Sequence, residues 1–214
     1  SWPLVFGGAV LMIQARIDQV MIKEMLGNVE VGYYSVAMRL IETLAFAPML
    51  IKNSLYPSIQ KAKNHSNRLY QTRLLNFYRL NFTLFLLFAI PIFVFSENIV
   101  VLLFGVTYQP AGVLLAMLSV RLFFANMGVA RSSYLLTENL MKFSVITLAL
   151  GTITNIGLNY IWIPVYGAKG AILASIISFF VTIFLVDICY SKTRKNVLLQ
   201  VRSMFTFYKL NIGR

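Results

Sequence analysis

The 214 residues are 58% hydrophobic and only 12% charged, a balance that excludes both a water-soluble globule and a solvated disordered chain. Nineteen Lys and Arg against seven Asp and Glu give a net charge of +12, which in this apolar setting points to a membrane rather than to nucleic acid. One cysteine, Cys189, and one histidine, His65, leave neither a disulfide framework nor a His/Cys metal cluster.

The chain opens Ser1-Trp2-Pro3, without an initiator Met or a basic stretch before the first apolar run, and so reads as the interior of a longer protein without a signal peptide. A bilayer core of about 30 Å needs about 20 apolar helical residues, and six stretches supply them. The first runs from Trp2 to Ile22, with Ser1 as N-cap and Pro3 in the first turn, and ends at Gly27-Asn28. A second spans Val31 to Tyr56; Pro48 is expected to kink it and Pro57 to help stop it. The third covers Phe77 to Phe95, followed by an interfacial piece, Ile99 to Phe104. The fourth extends from Pro110 to Leu136, the fifth from Phe143 to Ile163 and the sixth from Ala168 to Tyr190. The expectation is an all-α polytopic membrane protein. Residues 1–190 would form one six-helix unit and residues 191–214 a basic tail, lying on anionic lipid or solvated. Tyr and Trp at span ends, Trp2, Tyr33, Tyr108, Trp162, Tyr166 and Tyr190, suit an aromatic belt.

Basic residues set the orientation. Lys61, Lys63, Arg68, Arg73 and Arg79 follow the second span, Arg131 and Lys142 the fourth, and Lys192, Arg194, Lys195, Arg202, Lys209 and Arg214 the sixth. Only Lys23 and Lys169 lie on the other side, so the positive-inside rule makes both ends cytoplasmic.

Four basic residues remain inside the spans: Arg16, Arg39, Lys52 and Arg121. A charge at bilayer centre costs at least about 2.5 kcal/mol and persists where it faces protein, water or a ligand. Lys52 lies one turn from its helix end and can snorkel. Arg16 and Arg39 sit about 10 Å below the surface at the level of Asp18 and Glu42, where ion pairing or proton coupling competes with ligand binding. Arg39 and Glu42, three apart, share a helix face, whereas Arg16 and Asp18 diverge. Arg121 is about 17 Å deep with no acidic residue on its own helix, and its planar fork matches a phosphate or carboxylate. Asn126, Asn155 and Asn159 add buried polar positions, as cavity lining or as interhelical bonds. Weighing four embedded basic residues against Asp18 and Glu42, the expected ligand is anionic, a phosphate-bearing amphiphile in a cationic cavity.

The runs Arg16-Ile17-Asp18-Gln19-Val20-Met21-Ile22, Val31-Gly32-Tyr33-Tyr34-Ser35-Val36-Ala37-Met38-Arg39-Leu40, Ser54-Leu55-Tyr56-Pro57 and Leu103-Phe104-Gly105, with Asn155 to Ala171, resemble in order and spacing the second half of bacterial polysaccharide flippases. The resemblance implies the C-terminal lobe of a two-lobe transporter of the multidrug, oligosaccharidyl-lipid and polysaccharide exporter superfamily. Such a transporter moves polyprenyl-pyrophosphate-linked oligosaccharide across the bacterial inner membrane by alternating access, for surface polysaccharides such as lipopolysaccharide. Its implied partners are the lipid-linked substrate, membrane lipids and the other lobe. The family pattern fits Arg16, Asp18, Arg39 and Glu42, while Arg121 rests on depth alone. Gly27, Gly32, Gly105, Gly128 and Gly167 would then be hinge positions or close-packing points. A drug or cation exporter of the same superfamily would be expected to embed more carboxylates. A polytopic glycosyltransferase would need an acidic or His constellation that the chain does not offer, so no enzyme and no cofactor is expected.

Overall fold

The computed structural model describes residue 13 and residues 16–210, and every regular element among them is helical. In chain order these are α1 (residues 16–26), α2 (Asn28–Leu44), α3 (Phe46–His65), α4 (Asn67–Phe104), α5 (Ala111–Ser119), α6 (Arg121–Thr137), α7 (Met141–Tyr166), α8 (Ala168–Phe180), α9 (Val186–Cys189) and α10 (Arg194–Phe205). Five of the resulting rods are long and apolar enough to cross a bilayer: Asn28–His65, Asn67–Phe104, Ala111–Thr137, Met141–Tyr166 and Ala168–Cys189. The chain is thus a multi-pass membrane protein. Most of the first expected span, with Ser1, Trp2 and Pro3, lies outside the described residues, as does Arg214.

Backbone chemistry explains where the rods bend. Pro48 lacks the N–H that would bond to Leu44 and crowds that carbonyl, so α2 and α3 part at Ala45 (ψ −9°). Pro57, expected as a stop, lies inside α3, which continues to His65 and turns at the extended Ser66 (φ −160°). Pro57 is exposed, as is Asn53, whose carbonyl loses its helical partner, so the unmade hydrogen bond is not sealed in a packed interior. Nor does the third span end at Phe95. α4 runs for 38 residues, with a break at Phe95 (φ −110°, ψ 17°) just before Ser96-Glu97-Asn98. Ile99 to Phe104 is its continuation, packed on α5, where Gly112 lies against the Glu97 backbone. α5 and α6 are separated only by Val120, and a π-helical turn, Val181–Leu185, joins α8 to α9.

Two apolar cores lie one beyond the other along the rods. One gathers Tyr34, Met38, Ile92, Leu115, Leu118, Leu122, Ala171 and Ile172; the other gathers Ile59, Leu74, Tyr78, Phe124, Met127, Leu135 and Phe184. Arg121 stands between them, one residue before Leu122 of the first and three before Phe124 of the second. Antiparallel α7 and α8 turn at Gly167, whose φ of 63° suits glycine, and pack so closely that a Cβ on Gly170 would come within 2.4 Å of the Trp162 carbonyl oxygen. The tail helix α10 docks against α4 by a polar face: Tyr78 donates to Asn196 (2.8 Å), and Gln200 donates to Tyr78 (3.4 Å). Its Leu198 and Phe205 point outward, an inside-out amphipathicity suited to lipid.

Candidate functional site

The four embedded cations meet four different environments. Arg16 is exposed; its Nη1 donates to Gln19 (3.3 Å) and lies 3.6 Å from Glu42 Oε1, a loose cross-helix ion pair. Glu42 is therefore bridged to α1 and not to Arg39, its neighbour on the same face. Arg39 is exposed and has no ion-pair partner among the described residues. Lys52 turns inward to donate to Ser132 on α6 (2.8 Å), where the expected snorkelling would have taken it to the helix end.

Arg121, partly buried at the start of α6, faces no carboxylate among the described residues. Its Nη1 donates to the Met38 thioether (2.9 Å), and its Cζ lies 5.2 Å from the Phe179 ring centroid. Both are weak partners: a thioether is a poor acceptor, and a ring face offers only its quadrupole. Met38 is buried whereas Arg39, the next residue of α2, is exposed and projects about 100° away, so the contact with Met38 does not bring Arg39 to Arg121.

Asp18 forms a separate polar core. Its side chain is buried and accepts from Tyr34 on α2 (2.9 Å), Asn159 on α7 (2.7 Å) and Ser175 on α8 (2.5 Å). Asn155 completes the network, donating to Ser175 (3.3 Å) and accepting from Asn159 (3.4 Å). Four helices are tied together around one carboxylate with neutral donors and no cation in contact. Asn155 and Asn159 are therefore interhelical bonds within packed helices. Asn126 is likewise buried, donating to the Leu122 carbonyl of its own helix (2.8 Å), with its amide oxygen unpartnered.

One embedded pair was missed. Arg131, assigned to a basic loop, is buried in α6 and forms a two-bonded ion pair with Asp187 of α9 (2.7 and 2.8 Å), with a third bond to Thr147 (3.2 Å). The signal was present, since Arg131 lies five residues inside the fourth span and Asp187 three inside the sixth. Both charges enter the embedded count together, so the surplus of two basic residues is unchanged.

The family model for polysaccharide biosynthesis proteins matches residues 1–113. The chain belongs to this polysaccharide biosynthesis family. The matched region holds Arg16, Asp18, Arg39, Glu42 and Lys52, and its end falls before Arg121, Asn126 and the two α7 asparagines. Among curated proteins and among solved structures, none matches the chain. Membership agrees with the multi-pass helical architecture.

Proposed function

We propose that this polysaccharide biosynthesis protein is a flippase, in which the chain forms the C-terminal, six-span lobe around a cationic cavity. The cargo is polyprenyl-pyrophosphate-linked oligosaccharide, carried from the cytoplasmic to the periplasmic leaflet of the bacterial inner membrane by alternating access. The reading is of a transporter and not an enzyme, with both ends of the chain cytoplasmic. One observation carries it: Arg121, a group that cannot shed its proton, contacts a thioether and a ring face and has no ion pair among the described residues. A diphosphate offers charged oxygens to the same fork and outcompetes both partners. Arg39, with no carboxylate partner, and Arg16, loosely tied to Glu42, would supply the remaining positive field, with Lys52 reachable from its bond to Ser132.

Asp18 is the coupling residue in this account. Its carboxylate is surrounded by neutral donors, so a coupling cation bound there would change the charge of the α1–α2–α7–α8 junction without breaking an ion pair. A drug or cation exporter of the same superfamily would be expected to rely on more such embedded carboxylates. The surplus of embedded basic residues favours the anionic cargo.

The test is leaflet exchange in proteoliposomes containing the whole transporter, with a labelled glycan on either a polyprenyl-diphosphate or a phosphate-free polyprenyl carrier. The proposal predicts movement of the diphosphate carrier and little movement of the other. Equal movement of both would overturn it.

A further inference from the structure

A second basic site lies away from the proposed cavity, at the end of the bundle where α3 meets α4, α6 ends and α10 begins. A pocket of about 440 Å³ opens there, lined from α3 and α4 by Lys63 and Gln71, from the end of α6 by Glu138, and from the α10 segment by Lys192, Lys195 and Asn196. Its charges do not cancel. Lys63 is committed to an ion pair with Glu138 and lies over the Tyr70 ring, whereas Lys192 and Lys195 have no ion-pair partner among the described residues. At the base of the pocket, Asn196 is fully buried. Its amide oxygen accepts from Tyr78, but its amide nitrogen has no hydrogen-bond partner among the described residues. A buried donor left unsatisfied costs free energy that an acceptor in the pocket would recover. Two unpaired ammonium groups at the rim and an unused N–H donor within form a recognition set for an anion bearing several acceptor oxygens. Basic pockets between helix ends beside a leaflet are suited to lipid phosphates.

We infer that this pocket binds a phosphate group, contributed by an anionic phospholipid headgroup or by a soluble phosphate. The tail helix is then a wall of a binding site, held against α4 by Tyr78 while Lys192 and Lys195 face the ligand. The inference is independent of the proposed flippase cavity, since it uses none of Arg16, Arg39 or Arg121.

Two arms test it on the full chain, wild type and Lys192→Gln/Lys195→Gln. Both exchanged side chains are exposed, so the unliganded unfolding midpoint of the variant should match the wild type. In the first arm, inorganic phosphate is titrated calorimetrically against protein in a neutral detergent. In the second, nanodiscs of phosphatidylcholine with or without phosphatidylglycerol are followed by native mass spectrometry for retained lipid. Saturable binding that the variant weakens about tenfold or more in either arm supports the site. Loss of phosphate binding assigns a soluble source, and loss of retained phosphatidylglycerol alone a lipid source. Binding of equal strength in the variant, or none in both arms, overturns it. An Arg39→Gln/Arg121→Gln protein should keep this binding even where transport is lost, which separates failure here from failure of the flippase reading.

Discussion

Removing Asp187 should destabilise the protein more than any other single charge deletion, because its partner has no escape. The Arg131 side chain is 7% exposed and that of Asp187 is 0%, and they share two charged hydrogen bonds of 2.7 and 2.8 Å. Asp187→Ala leaves a guanidinium that stays charged in a packed interior, with only Thr147 to receive it, at a cost of about 3 to 5 kcal/mol. Arg131→Met is milder, about 1 to 3 kcal/mol, because the stranded carboxyl can take up a proton. Replacing both, Arg131→Met with Asp187→Ala, removes the two desolvation penalties together and should return stability to within about 2 kcal/mol of wild type. Denaturant unfolding of the four proteins in one detergent closes a double-mutant cycle with a coupling of at least about 2 kcal/mol. The reasoning fails if Asp187→Ala costs less than about 1 kcal/mol, or if the double variant loses the sum of the singles.

Two glycines of the α7–α8 pair should respond in opposite ways. Gly170→Ala places a methyl 2.4 Å from the Trp162 carbonyl oxygen and should cost about 1 to 3 kcal/mol, whereas Gly157→Ala meets nothing within 4 Å and should stabilise by about 0.5 to 1 kcal/mol; thermal unfolding midpoints check both. Asp18→Ala strands three donors and should destabilise by about 2 kcal/mol, read by the same unfolding assay, while Asp18→Asn should fold yet lose any cation dependence of transport; an unaltered dependence would remove Asp18 from coupling.

Much of the architecture was legible because hydropathy and punctuation coincide in the later half. The fourth, fifth and sixth spans end within three residues of Ala111–Thr137, Met141–Tyr166 and Ala168–Cys189, where Gly167 or a polar residue both stops the apolar run and turns the chain. The third did not, since hydropathy sees only the part of a helix that is oily. α4 begins ten residues before Phe77 in a polar segment that is equally helical, and Pro57 does not stop its helix because the Asn53 carbonyl that it leaves unpaired lies on an exposed face. Depth along antiparallel helices puts Arg16 level with Glu42, so pairing between them is legible as one option, and the structure takes it. The Arg131–Asp187 pair joins two helices distant in sequence, which spacing along one helix cannot display. The Asp18 network is of the same kind, drawing Tyr34, Asn159 and Ser175 from three other helices.

The central claim is that Arg39 and Arg121, without carboxylate partners among the described residues, and Arg16, only loosely tied to Glu42, take the cargo's diphosphate. Its most direct test is the rate of glycolipid translocation by an Arg16→Gln/Arg39→Gln/Arg121→Gln transporter whose unfolding midpoint equals the wild type. Loss of charged hydrogen bonds worth about 1.5 to 3 kcal/mol each predicts a fall of at least about a hundredfold. A folded triple variant that translocates at the wild-type rate would contradict the account.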